Sequence, residues 1–380
     1  MGFYTELGIY SKLHIFYIGI LRGFHDSMAS GPGDTSIRKI QSTGGGTFTL
    51  SLPKQWVISQ HLKTSNSIKI DWRPSGALRL TPLEQEKQSL RTISLDLGHL
   101  PDESLFDHLM GAYIAGADVI RIRHNSQEKR KISQQIRRFL RATRGFELYV
   151  EEDQLFELHC LLNTGDMPIT SSLNRMYLQL SSSVRDILSV FEGDDPTFLD
   201  DLEERENEVD SLLHLIERQV RLLIDNYSIA TKLNMTRIQS LESGNLARSL
   251  ERMMDHAVLI GKNVHEHSSA LGHEENESSI KKLGEWQNSL KELMINIRIR
   301  DANRIEEART HLKMIQNDLQ DHERALFQSE KKHSWMLVEL SVSESIRRLC
   351  AYARDFGESL INMNAYKGIR LDVKGVSENI

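Results

Sequence analysis

Along residues 198–223, FLDDLEERENEVDSLLHLIERQVRLL, apolar side chains return at alternating steps of three and four. Leu199, Leu202, Val209, Leu213, Ile216, Val220 and Leu223 form the stripe, and Glu206 is its one polar occupant. That spacing predicts a helix packed along one face on other helices. The same period runs through most of the chain after Pro168, in long segments bounded by EGDDP, SLESGN and GHEEN and without a strand pattern. Residues 168–366 therefore read as an all-helical region.

Upstream the period changes. In IRKIQSTGGGTFTLSLPKQWVISQHLKTSNSIKIDWRPSGALRLTP, β-prone runs (47–52, 67–72, 77–80) alternate with glycine, proline and Thr-Ser-Asn clusters, and Pro53 opens a short helix through Trp56 and Val57. This is a small β-rich unit over residues 35–84. Gly44-Gly45-Gly46 reads as a turn and not a phosphate loop, because no Gly-Lys-Ser/Thr follows and no helix opens there. From Arg91 a strand (RTISLDLG), a helix (ESLFDHLMGAYIAGA), a strand (DVIRIRH), a basic helix (EKRKISQQIRRFLRATRG) and a last strand-rich stretch (FELYVEEDQLFELHCLLN) predict a small α/β module over 88–166. Residues 1–34 read as a poorly ordered or spurious extension, with Met28 a second possible start, and 367–380 as a tail. The apolar run around Ile15–Leu21 is too short and interrupted to span a bilayer, so no stable membrane insertion is expected.

The helical region repeats itself. SVRDILSVFEGDD (183–195) lies on SLKELMINIRIRD (289–301) at an offset of 106, which carries Val209, Leu213 and Val220 onto Ile315, Leu319 and Leu326. SLERMMDHAVLIGKNV, from Ser249, lies on SIRRLCAYARDFGESL, from Ser345, at an offset of 96. Two tandem three-helix bundles follow, 168–272 and 277–366.

Charge divides the chain. Residues 37–150 carry 18 Lys and Arg against 10 Asp and Glu, whereas 151–380 carry 27 against 40. A basic front suits a polyanion and an acidic remainder suits cations or a basic partner. The two cysteines, Cys160 and Cys350, form no C-x-x-C motif and fit a reducing cytoplasm. There is no nucleophile–base pairing, Walker motif or dinucleotide fingerprint, so an enzyme is not expected.

A duplicated three-helix bundle with E-x-x-x-D in its second helix (ERENEVD) and R-x-x-D-H in its third (LERMMDHAV) resembles the PhoU family of phosphate-uptake regulators. RKIQSTGGGTFTLSLPKQW and LKTSNSIKI resemble the swapped-hairpin AbrB/SpoVT/MazE DNA-binding domain, and the combined order is similar to archaeal PhoU-like regulators over about residues 37–366. The resemblance implies a cytoplasmic, homodimeric, DNA-binding regulator of phosphate uptake and homeostasis, acting negatively on transport, in which Arg38, Lys39 and Lys54 face DNA. The alternative is an adaptor that docks on the ATPase or membrane subunit of a phosphate ABC importer and uses the β-rich piece only to dimerise. The resemblance also implies that Glu206, Asp210 and Asp255 hold a divalent or iron-type metal ion in the first bundle.

Each group has a second reading. Seam carboxylates cost several kcal/mol when ionised and unpaired, and an ion pair of Glu206 with Arg248 or Arg252 would satisfy that need as a cation would. Arg38 and Lys39 could be the solvated edge of a strand. The basic helix, with Lys129, Arg130, Lys131, Arg137, Arg138, Arg141 and Arg144, could extend a DNA footprint, be a solvated face or sense a ligand. His265, His267 and His273 fall in a connector without H-x-x-x-H spacing. At the repeat offsets Glu206, Asp210 and Asp255 become Leu312, Gln316 and Ala351, which restricts any metal to the first bundle.

Overall fold

The computed structural model describes residues 37–43, 46–72, 77–83, 90–101, 103–125, 129–163, 165, 167–271, 278–328 and 333–369. The expectations for 1–34 and for nearly all of the 367–380 tail lie outside them. The chain divides into two units, residues 1–89 and 90–380.

The first unit holds two antiparallel hairpins. β1 (Gln41–Thr43) pairs with β2 (Thr47–Thr49), Gln41 opposite Thr49, around a turn in which Gly46 takes φ 82°. β3 (Ile68–Trp72) pairs with β4 (Leu78–Pro82), Ile70 opposite Leu80. Between them Pro53, with φ −59°, opens the six-residue α1 (Lys54–Ser59), as a ring-locked φ favours. Of the unit's described side chains only Pro82 is buried. Phe48 is 71% exposed, Ile70 61% and Leu78 61%. The described residues of this unit form no buried apolar core among themselves.

In the second unit β5 (Thr92–Asp96), β6 (Val119–Arg123), β7 (Phe146–Glu151) and β8 (Leu155–Cys160) form a sheet in the order β5-β6-β8-β7, with only the β5/β6 pair parallel. α2 (Leu105–Ala115) and α3 (Lys129–Ala142) supply Leu109, Tyr113, Ile136 and Phe139 to one core with Ile120, Ile122, Phe156 and Leu158 of the sheet. A buried strand face alternating with helical stripes is what brings the two periods together.

Two helical bundles follow, α4 (Ile169–Phe191), α5 (Leu202–Asp225) and α7 (Arg237–Leu271), then α8 (Lys282–Ile299), α9 (Ala302–Phe327) and α10 (His333–Gly368), with a short α6 (Tyr227–Lys232) between α5 and α7. One continuous apolar core runs through both, and α7 packs extensively along α10. The expected boundary at SLESGN is not there, since those residues lie inside α7. The helix begins instead at a reciprocal cap: Gln239 N–H donates to Thr236 Oγ1 at 3.2 Å, and Thr236 N–H donates to Gln239 Oε1 at 3.0 Å. This T-x-x-Q box satisfies two otherwise unpaired donors, while Ser240 and Ser243 turn their hydroxyls onto carbonyls of the preceding turn.

The repeat is physical as well as textual. Val209 and Ile315 are both buried, and Asp195 and Asp301 each accept backbone N–H groups at the start of the following helix. Gly261 and Gly357, 96 residues apart, mark the same close approach. A Cβ on Gly261 would stand 2.4 Å from Leu202 Cδ1 and 3.4 Å from Ile187, and one on Gly357 would stand 2.7 Å from Arg309 and 3.3 Å from Leu293. Ile187 and Leu293 are themselves a repeat pair, 106 apart.

A buried arginine ties the α/β module to the first bundle. Arg218, on α5, is fully buried and donates from Nη1 to the carbonyls of Tyr113 and Ala117, each at 2.8 Å, and from Nη2 to Asp118 Oδ1 at 3.2 Å. Asp118 also receives both arms of Arg91 at 3.0 Å. Arg144 extends the seam, donating to Ser211 Oγ at 3.1 Å and pairing with Glu208 at 3.5 Å. Arg218→Ala leaves two carbonyls without this partner in a buried place, and is expected to cost about 3 kcal/mol or more in denaturant unfolding. Arg221→Ala, which removes an exposed neighbour on the same helix, is expected to stay within about 0.5 kcal/mol of the parent.

Candidate metal centre

Helical spacing lays the acids out before any packing does. Glu206 and Asp210 are four apart on α5, and Glu251 and Asp255 are four apart on α7, so each pair shares a helix face. Packing of α5 on α7 then brings Asp210, Glu251 and Asp255 together, one ligand oxygen from each lying within 4.8 Å of the others. Of the three residues expected from sequence, Asp210 and Asp255 are in this trio. Glu206 is not, although the charges of Asp255 and Asp210 act on it. Glu251 takes the third place. Its i, i+4 relation to Asp255 was the available signal, hidden because no second helix was specified against which that face would be acidic.

All four carboxyls are half-buried and pushed upward. Glu251 rises to about 7, first through burial and then through Asp255 and Asp210. Glu206 is raised by burial and then by Asp255 and Asp210. Asp210 is raised by burial and by Asp255, against the neighbouring His214, and Asp255 by burial, against His256 and Arg252. Carboxylates crowded this way resist full ionisation unless a cation joins them.

The ion-pair alternative for Glu206 does not hold here. Arg248 instead pairs with Glu217, and the guanidinium of Arg252 lies 5.5 Å over the ring of Tyr352. Lys262 binds Glu203 at 2.9 Å. Among the described residues no arginine or lysine forms an ion pair with Glu206, Asp210, Glu251 or Asp255.

The second bundle shows what replaces the acids. Leu312, at the place of Glu206, is fully buried. Gln316, at the place of Asp210, donates to the carbonyl of Arg347 at 3.2 Å, and Arg354 donates to its Oε1 at 3.2 Å. Ala351 stands for Asp255 and Arg347 for Glu251, its guanidinium bound to Glu323 at 2.9 Å and to Glu344. A side-chain cation thus stands at one of the equivalent positions in the bundle that lacks the acids. Three carboxylates of this kind suit a hard divalent ion such as Mn²⁺ or Mg²⁺, or iron.

The other sequence candidates are distributed elsewhere. Arg38 and Lys39 are exposed just before β1, and Lys54 is exposed at the start of α1, none in an ion pair among the described residues. His265 and His267 belong to α7 and not to a connector, with helical geometry broken at His267 (φ −128°, ψ 20°), and His273 lies outside the described residues. On the basic helix, Lys129 pairs with Glu151 at 3.7 Å. Among the described residues no helix is long and apolar enough to cross a membrane.

Residues 173–264 match the PhoU domain. The PhoU match runs from α4 into α7, contains all four carboxylates and stops before the second bundle. No curated protein matches the chain.

Raised carboxyls give the PhoU segment a definite pH response. A folded-state pKa above the unfolded value means the folded chain holds more protons between the two values, so stability falls as pH rises through that window. Cation-free protein is therefore expected to lose melting temperature between about pH 4.5, the ordinary value for Glu, and about pH 7, the value reached by Glu251. Glu251→Gln should flatten the loss, and Mn²⁺ should reverse it at the upper end, because the ion binds the ionised form. A melting temperature indifferent to pH and to Mn²⁺ would contradict the centre.

Proposed function

We propose that this protein is a cytoplasmic, homodimeric DNA-binding regulator of phosphate homeostasis, with a metal-dependent PhoU-like domain. The observation that carries the regulatory reading is the PhoU match, a domain of phosphate regulation, coinciding with the acid trio. DNA binding rests on Arg38, Lys39 and Lys54, exposed cations of a basic front region, which neutralise backbone phosphates. Dimerisation rests on the first unit's exposed apolar side chains: Phe48, Ile70 and Leu78 would be taken out of water by a second copy of the unit.

Binding of a mixed-sequence DNA duplex across a salt series tests the first half. Alanine at Arg38, Lys39 and Lys54 together is expected to weaken binding for every sequence and to reduce the log–log salt slope by about one for each backbone phosphate that is no longer neutralised. Unchanged affinity and slope would leave an adaptor on a phosphate importer as the better reading. Sedimentation at micromolar concentration should give a dimer, and a monomer would remove the intertwined hairpin.

Elemental analysis of protein prepared without a histidine tag tests the metal. The parent should carry bound metal and Asp210→Asn little or none. Parent protein at background level would make the acid trio a structural charge cluster.

A further inference from the structure

The basic helix forms one wall of an open cleft. A cavity of about 1200 Å³ separates α3 from α5. Arg130, Arg137, Arg138 and Arg141 line it from α3, and Glu204 and Asn207 line it from α5. The arginines recur at helical spacing on one face and reach roughly 16 Å along the axis at 1.5 Å per residue. Among the described residues none of the four has a carboxylate partner. Arg137 donates Nε to the Ser133 carbonyl at 3.2 Å, which leaves the rest of its fork open. Unpaired guanidiniums aligned along a concave wall are the ordinary recognition surface for phosphate groups.

Three details narrow the ligand. The length of the arginine row exceeds what one phosphate can engage, so more than one anionic group is called for. Arg138 lies 4.2 Å over the ring of Phe106, whose N–H is held by Gln135 Oε1 at 3.1 Å, and the outer face of that stacked guanidinium is a platform for a flat ring. Across the cleft Asn207 donates Nδ2 to the Glu203 carbonyl at 2.7 Å, leaving its oxygen, with the carboxylate of Glu204, to accept hydroxyl protons. The same acidic wall, which Asp210 shares, opposes the continuous phosphate backbone of a duplex.

We propose that this cleft binds a nucleoside polyphosphate, with its phosphates on Arg130, Arg137 and Arg141, its base on the Arg138–Phe106 stack and its sugar hydroxyls on Glu204 and Asn207. Such a ligand would be sensed beside the acid trio, since Asp210 faces both.

Calorimetric titration of the full chain with ATP in EDTA tests this apart from the metal centre, which the chelator silences. Saturable ATP binding is expected, about tenfold or more weaker in Arg137→Gln/Arg141→Gln. Both side chains are exposed and form no ion pair among the described residues, so an unchanged melting temperature should show that the variant is folded. Asn207→Ala should weaken ATP and leave tripolyphosphate, tested in parallel, unaffected. No ATP binding, ATP binding indifferent to the arginine variant, or duplex DNA as the only anion whose binding those arginines control would each overturn the proposal.

Discussion

A guanidinium can be buried only where acceptors are already waiting, and Arg218 meets that condition with the carbonyls of Tyr113 and Ala117 and the carboxylate of Asp118. The requirement is mutual. At the end of α2 the Tyr113 carbonyl, which also accepts from the Gly116 N–H, and the Ala117 carbonyl have lone pairs to offer, and Asp118, already held by Arg91, is a ready anion. The α/β module is thereby set on α5 in one orientation, with Arg144 and Ser211 adding a second point. That orientation turns the arginine face of α3 toward the acidic face of α5 and creates the cleft between them. A loosely attached module would leave the same residues facing bulk water.

α5 is consequently used on more than one side. One stripe, Val209, Leu213, Ile216 and Val220, enters the bundle core, and Arg218 serves the module. Asp210 turns toward Glu251 and Asp255 of α7. Burial on several sides explains why this helix carries so many inward side chains beyond a two-position seam. It also raises the cost of charge there, which shows in the upward displacement of every carboxyl in the set.

The duplicated bundle serves as an internal control. Gly261 and Gly357 hold equivalent close approaches, so the backbone arrangement is common to both halves. The polar centre is not: leucine, glutamine, arginine and alanine stand where the first half has four acids. The fold therefore does not need carboxylates at these positions. Their presence in the first half calls for a reason outside helix packing, which a bound cation would supply, whereas in the second half Arg347 stands at the place of Glu251.

Period and punctuation in the sequence were sufficient for most of the order of elements, because a helix of step 3.6 and a strand of step 2 declare themselves locally. The stripe through Val209 and Leu223, the Pro53 helix, the first two strands of the module and the 106- and 96-residue offsets were legible that way, whereas the last strand-rich stretch was resolved into β7 and β8 only by the structure. Local cues failed at α7. SLESGN looks like a break, but its serines satisfy themselves on the helix, and the true start lay in the unread T-x-x-Q box. The i, i+4 spacing of Glu206 and Asp210 placed both on one helix face, an intrahelical fact, while Asp255 was singled out only through the resemblance of LERMMDHAV. Which of those faces meet is a property of packing between helices far apart in the chain, and only tertiary structure decided that Glu251 joins Asp210 and Asp255 while Glu206 stands aside. The same holds for Arg218 and for the arginines of α3. Their charges were plain in the sequence, but one is buried among carbonyls about 100 residues away and the others line a cleft whose second wall no local pattern could specify.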